Sequence, residues 1–215
     1  MTVPRIDHAS SASPKRVGVL VSGRGSNLQA LIDAAREGRL GAQVAIVGSN
    51  VETAPALERA RQAGVPVAVR DHRGRKREEF DSELAQLLLG HEVDLVCLAG
   101  FMRRLSAAFL AAFPGRVVNI HPSLLPAFPG QDAQRQAFEH GVKVSGATVH
   151  LVDEGLDSGP IVMQAAVPVE DDDTPERLAA RILEAEHRLY PAAVRRLLHG
   201  GYRLEGRRVV FGRAS

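Results

Sequence analysis

Arg116-Val117-Val118-Asn119-Ile120-His121-Pro122-Ser123-Leu124-Leu125-Pro126 is the stretch around which the rest of the chain is organised. It opens as a short apolar run, Val117, Val118 and Ile120, which predicts a buried strand. Pro122 ends it, because proline cannot continue a central strand and holds the residue before it extended. Asn119 and His121 are two apart, so their side chains point to one face of that strand. A carboxamide and an imidazole at the end of a buried strand must be satisfied or serve a purpose. Open α/β sheets carry their chemistry at the carboxyl ends of strands, and this is the expected catalytic strand end.

Upstream, strand and helix patterns alternate. Arg16–Val21 reads as a first strand, followed by Ser22-Gly23-Arg24-Gly25-Ser26-Asn27 and a helix to about Arg36 with Leu28, Leu31, Ile32 and Ala35 at helical spacing. Val44–Gly48 reads as a strand. A helix follows, capped by Thr53 with Pro55 in its first turn and running to Gln62. Val65–Val69 and Val93–Ala99 read as strands, Lys76–Leu89 and Ser106–Ala112 as helices. This alternation predicts an open, mostly parallel, Rossmann-like sheet with helices on both faces.

Downstream the texture changes. Asp132–His140 reads as a helix, Val144–Val152 and Pro160–Val169 as an antiparallel hairpin around the polar loop Asp153–Gly159. Thr174-Pro175 begins a long helix with Leu178, Ile182, Ala185, Leu189, Ala193 and Leu197 on one face. A small hairpin built on Arg203-Leu204 and Arg208-Val210 closes the chain. Residues 1–14, polar and rich in Ser and Ala, read as a disordered tail. Residues 15–215 are expected to form one domain, with a phosphate-binding half over 15–115 and a catalytic half over 116–215.

Composition narrows the class. With 215 residues, 45% hydrophobic and 24% charged, the chain suits a globular protein that buries roughly 70% of its unfolded surface. The net charge of +2 is spread along the chain, which argues against a nucleic-acid partner. The dense basic run Arg70–Arg77 reads as a solvated loop and helix start, able to attract an anionic ligand. Cys97 has no partner for a disulfide or a metal site and reads as a small core residue. No signal peptide or membrane-length run is evident, so a cytoplasmic protein is expected. The histidines show no ligand-like clustering, and no metal is expected.

The loop Ser22–Asn27 lies between strand and helix. Its glycines allow a tight turn, and the helix start aims free N–H groups and a positive dipole end outward. A phosphate fits there, with the Ser26 and Asn27 side chains as extra donors. Leu28 at the third glycine position excludes the dinucleotide fingerprint. A merely structural turn is the competing reading.

The motifs Gly23-x-Gly25-Ser26-Asn27-Leu28-Gln29, Leu98-Ala99-Gly100-Phe101-Met102-Arg103, Asn119-Ile120-His121-Pro122-Ser123-Leu124-Leu125-Pro126 and Val149-His150 leading to Leu156-Asp157 occur in one order and spacing. With them the chain closely resembles the phosphoribosylglycinamide formyltransferases over about residues 15–200. The resemblance implies formyl transfer from 10-formyltetrahydrofolate, as co-substrate, to the amine of glycinamide ribonucleotide in purine (IMP) synthesis. By matching position it implies a catalytic trio of Asn119, His121 and Asp157 and a substrate-phosphate cradle of Gly25, Ser26 and Asn27. Glu186 matches a carboxylate contacting the glycinamide substrate. The folate pocket is implied at Met102, Arg103, Arg104 and Leu105, at Asn119, and at Asp153, Glu154, Gly155, Leu156 and Asp157, with Arg77 as a folate-contacting arginine. Small-molecule partners, no membrane, and a monomer or homodimer follow. The family usually carries His at the position of Gln134, and some members another at Asp132; this chain has neither.

The chemistry suits these residue types. Formyl transfer to an amine passes through a tetrahedral oxyanion, to which an Asn amide and a protonated His can both donate. A carboxylate such as Asp157 stabilises and orients that imidazolium, which can pass a proton to the leaving nitrogen. His150, alternating with Val149 and Leu151, reads as structural. The alternatives are a formyltetrahydrofolate hydrolase, a methionyl-tRNA formyltransferase, and a non-catalytic nucleotide-binding module.

Overall fold

The structure, a computed structural model, describes residues 5–6 and 14–212. Its first half runs β1 (Arg5–Ile6), β2 (Lys15–Val21), α1 (Ser26–Arg36), β3 (Ala42–Ser49), α2 (Pro55–Gln62), β4 (Val67–Val69), α3 (Arg77–Gly90), β5 (Leu95–Leu98) and α4 (Ala107–Ala112). The second runs β6 (Val117–His121), α5 (Ala133–Glu139), β7 (Val144–Leu151), β8 (Ile161–Pro168), α6 (Pro175–His199), β9 (Tyr202–Glu205) and β10 (Arg208–Phe211). The described strands form one sheet in the order β1-β9-β10-β8-β7-β6-β5-β2-β3-β4. From β4 to β6 every pairing is parallel, as is β8 with β10; β6, β7 and β8 pair antiparallel, as do β10, β9 and β1.

Both faces of the parallel part are covered, and side-chain parity shows why. Val17, Val19, Val21, Leu95, Cys97, Val118 and Ile120 pack into one core with α1, α2 and α6. The alternate residues Leu20, Val96, Leu98 and Val117 pack into a second core with α3 and α4, around Phe80, Leu84, Phe109 and Phe113. A strand buried on both faces reads as a continuous apolar run, as β2 and β5 do. Each fully buried large side chain contributes about 1.5–3 kcal/mol of transfer free energy. Asn119 and His121 share the parity of Val117, so they continue its face toward the carboxyl end of β6.

Several local expectations shift. The helix after β3 is capped by Ala54 and not Thr53, and Ala54 gives no side-chain cap bond; Pro55 at its start holds the first turn. The strand expected from Val65 begins at Val67. The expected N-terminal tail lies mostly outside the described residues, and Arg5–Ile6 within it pair with Tyr202 and Arg203 of β9 as a strand. The C-terminal hairpin forms as expected, and in addition Arg208 pairs with Ile161, joining the hairpin to the sheet. α6 starts at a Thr174 cap, whose Oγ1 accepts from Arg177 N, and passes through Pro191 without ending.

Candidate active site

The sheet changes direction between β2 and β5: β2 leads outward to β3 and β4, while β5 and β6 lie on its other side. Loops leaving the carboxyl ends at such a switch point diverge and leave a crevice. The loop Ser22–Asn27 and the segment from Gly100 to Leu105 flank it, tied by a 3.0 Å hydrogen bond from Ser22 N to Gly100 O. Gly25 precedes α1 with φ 75°, and a Cβ there would lie 2.5 Å from the Ala56 Cβ. Only glycine suits both the backbone and the space. α1 thus begins at Ser26 with its first N–H groups directed out of the helix.

His121 closes β6 and is 4% exposed. Its Nδ1 lies 3.3 Å from Asp157 Oδ2, and its Nε2 lies 2.9 Å from the Phe128 carbonyl. Asp157 reaches the strand end from its loop in a left-handed conformation, φ 48°, and its Oδ2 also accepts from Gly130 N at 2.8 Å. The other oxygen, Oδ1, lies 3.7 Å from His150 Nε2. In the antiparallel register of β6 and β7, Asn119 faces His150 directly, and Asn119 Nδ2 lies 3.2 Å from His150 Nε2. A carboxamide nitrogen only donates, so His150 Nε2 is the acceptor and its Nδ1–H donates to Leu151 O at 3.0 Å. That is the neutral ring, and burial pushes the His150 pKa down, in the same direction. The structure therefore brings Asn119, His121 and Asp157 together and, against the expectation of a purely structural role, puts His150 in contact with two of them.

Glu186, on the buried face of α6, is 5% exposed and accepts from Asn27 Nδ2 at 2.9 Å. Burial pushes its carboxyl up to about 7. Asn27 Oδ1 is buried with no hydrogen-bond partner. Glu186 is thereby tied to the Gly25–Asn27 loop.

On the other side, Arg104 donates to the Glu154 carbonyl, joining the segment Met102–Leu105 to the loop Asp153–Asp157. That loop is stapled by Asp153 Oδ1, which accepts from Gly155 N at 3.0 Å and from Ser158 Oγ at 2.7 Å. Leu105 is buried, while Met102 and Leu156 expose 71% and 56% of their surface, as apolar groups beside the strand ends. Arg103 lies over the Phe80 ring at 5.0 Å. Arg77 opens α3 at the surface with its guanidinium 3.6 Å from Glu78. Asp132 precedes α5 at φ 53° and Gln134 lies in the first turn of that helix. Among the described residues no group of acidic, His or Cys side chains is arranged to hold a metal ion. No described helix is long and apolar enough to cross a membrane.

The formyl transferase family matches residues 15–194. The trifunctional purine biosynthetic protein adenosine-3 of Drosophila melanogaster is 51% identical over 202 residues, 93% of this chain. The chain spans only 15% of the length of that relative. The phosphoribosylglycinamide formyltransferase of Bacillus subtilis is 42% identical over 86% of this chain and 95% of its own length. Among solved structures, glycinamide ribonucleotide transformylase 1 from Symbiobacterium toebii superposes with a TM-score of 0.90 at 54% identity, covering 94% of this chain and 95% of that one.

Proposed function

The chain belongs to the formyl transferase family, and from that premise we propose that it transfers the formyl group of 10-formyltetrahydrofolate to the amine of 5-phosphoribosylglycinamide, a step of purine (IMP) biosynthesis. The observation that carries this reading is Asn119, His121 and Asp157 at one strand end, between a glycine loop with Glu186 on one side and an apolar-lipped loop pair on the other.

In this reading the phosphate sits on the N–H groups and side chains of Gly25, Ser26 and Asn27, as helix starts favour anions. Glu186 meets the glycinamide portion. The folate lies along Met102–Leu105 and the loop Asp153–Asp157, between the exposed Met102 and Leu156. Arg77 contacts its charged tail.

The substrate amine attacks the formyl carbon, forming a C–N bond and a tetrahedral oxyanion. Asn119 and His121 donate to that oxygen in a site largely closed to water, where such donors are worth most. N10 of the folate takes a proton from His121, the proton the amine loses restores His121 through water, and the bond from the formyl carbon to N10 breaks as the carbonyl re-forms. Both nitrogens of His121 face oxygens, Asp157 Oδ2 at 3.3 Å and the Phe128 carbonyl at 2.9 Å, so a proton on either side of the ring meets an acceptor. Exchange of one acceptor for the reacting atoms lets His121 give a proton to N10, with Asp157 holding the imidazolium. His150, by accepting from Asn119 Nδ2, fixes which end of the carboxamide faces the oxyanion.

The test is release of tetrahydrofolate from 10-formyltetrahydrofolate with and without glycinamide ribonucleotide. Release only with the ribonucleotide, with formylated product, is expected. Release of formate at the same rate without it would make the protein a hydrolase instead.

A further inference from the structure

The carboxyl ends of β2, β3 and β5 are linked by side chains that the chemistry above leaves unused. Met102 N–H donates to Ser22 Oγ at 2.9 Å, and the Ser22 hydroxyl donates to Asn50 Oδ1 at 2.6 Å. With its oxygen so engaged, Asn50 presents Nδ2 to His72 Nδ1 at 3.2 Å, and an amide nitrogen only donates. The directions are consistent along the relay with His72 Nδ1 as acceptor, in which case that nitrogen gives no proton to the Asn50 backbone carbonyl 3.3 Å away. Asn50 is 6% exposed, directly after β3, and both ends of its carboxamide are engaged. A buried amide held this way fixes its neighbours, because any displacement leaves a desolvated polar group unpaired.

The residues that Asn50 links belong to three different segments. Ser22 opens the glycine loop that leads to Ser26 and Asn27. Met102 opens the segment Met102–Leu105. His72 lies in the basic run Arg70–Arg77, with its ring edge against Phe80, 6.1 Å between centroids. Ser22 is the junction, since its backbone N–H also donates to Gly100 O. Met102 N–H only donates, so the hydroxyl accepts from it, and Asn50 Oδ1 only accepts, so it takes the hydroxyl proton.

We propose that Asn50 is a positioning residue that couples the two substrate sites: by orienting Ser22 it fixes the spacing between the glycine loop and the Met102–Leu105 segment, so that ligand on one side pre-orders the other. The inference rests on the assignment of those segments to ribonucleotide phosphate and folate. Coupling of this kind is a ratio of affinities, and it is reciprocal. A purely structural Asn50 would lower stability and leave that ratio alone.

The experiment is calorimetric titration of glycinamide ribonucleotide into the full chain, with and without saturating tetrahydrofolate, which has no formyl group to give. The wild type is expected to bind the ribonucleotide about fivefold more tightly with tetrahydrofolate present, at the low end of usual coupling. Asn50→Ala and Ser22→Ala are each expected to bring that ratio close to one, and the double variant no further. Ser22→Ala keeps the backbone bond to Gly100 and serves alone if Asn50→Ala fails to fold. A wild-type ratio of one, a ratio unchanged in a folded single variant, or losses that multiply in the double variant would each overturn the proposal. Formyl transfer by the wild type is assayed alongside: if it transfers but shows no coupling, only the inference fails; if it does not transfer, the underlying assignment fails.

Discussion

Asn27 Nδ2 donates to Glu186 Oε2 at 2.9 Å, joining the first turn of α1 to the buried face of α6 across 159 positions of chain. The carboxylate so held is short of partners, and burial lifts its pKa from 4.5 to about 7. The native state therefore holds a proton on Glu186 that the unfolded chain has already lost between those two values. Stability falls as pH rises from about 4.5 to about 7 and is constant, as far as this group is concerned, above that. At about 1.4 kcal/mol per pKa unit, the full loss is about 3 kcal/mol. Glu186→Gln keeps an acceptor for Asn27 and removes the charge. It is expected to be more stable than wild type at pH 8 by up to that amount and equal to it at about pH 4, below the unfolded value, by urea denaturation. Equal stability at pH 8 would mean the carboxylate is not penalised, and transfer activity should fall in either case.

Tyr190, fully buried on α6, directs its hydroxyl at the carbonyls of Leu98 and Val118, 2.9 and 3.1 Å away, on the neighbouring strands β5 and β6. Tyr190→Phe leaves those oxygens without this donor and is expected to cost about 1–3 kcal/mol in urea denaturation. Because Asn119 follows Val118, a smaller loss in kcat should accompany it. A stability change under about 0.5 kcal/mol would show that the strand ends do not depend on this bond.

How much of this was legible in the sequence depends on the range of each interaction. β2 and β5 read directly as apolar runs, since burial on both faces leaves no polar alternation, and β6 is marked by Val117, Val118 and Ile120. Asn119 and His121 stood out because polar residues at a buried strand end need an explanation. His150 did not, because its position beside Asn119 follows from the antiparallel register of β6 and β7, and two strands some thirty residues apart carry no local mark of their pairing. Asn50 was silent for the same reason: a single Asn after a strand reads as a turn. The Thr53 cap failed because the chain enters α2 one residue later, at Ala54, where Pro55 fixes the first φ.

Gly25 is a position where backbone and packing agree. Its φ of 75° is unfavourable to any residue with a Cβ, and that Cβ would meet the Ala56 Cβ at 2.5 Å and Cα at 2.8 Å. Gly25→Ala is expected to destabilise by about 1–3 kcal/mol and to raise KM for the ribonucleotide more than for the folate. Adding Ala56→Gly should recover only part of the loss, since the backbone contact and the φ remain. A variant with unchanged KM for both substrates would remove the loop from phosphate binding.

His150 is held neutral by burial, against the smaller opposing effects of Leu151 O and Asp157. Its pKa lies below 6.5 in the native state, so the unfolded chain binds a proton first as pH falls. The group's contribution is intact above about 6.5 and is lost as pH falls below it. His150→Ala removes that acid sensitivity, although the cavity makes the variant less stable throughout. It also frees the Asn119 amide, and kcat is expected to fall by about tenfold, near one oriented hydrogen bond. Unchanged kcat would return His150 to a structural role.

Asp157 is the group whose charge and geometry can be separated most cleanly. At φ 48° it occupies the left-handed region, which Asn also tolerates, and Asn can still accept from Gly130 N–H through its side-chain oxygen. Asp157→Asn should therefore keep the loop in place and remove only the negative charge 3.3 Å from His121 Nδ1. Without that charge an imidazolium at His121 has no counter-ion, and proton delivery to the leaving nitrogen suffers. We expect kcat to fall by about 10²–10³, within the range of general acid–base catalysis, with KM for both substrates within about threefold of wild type. Steady-state kinetics and a thermal melt on the same preparation decide it. A stable variant with unchanged kcat would reduce Asp157 to a loop anchor, whereas a large rise in KM for the folate alone would place its role in binding.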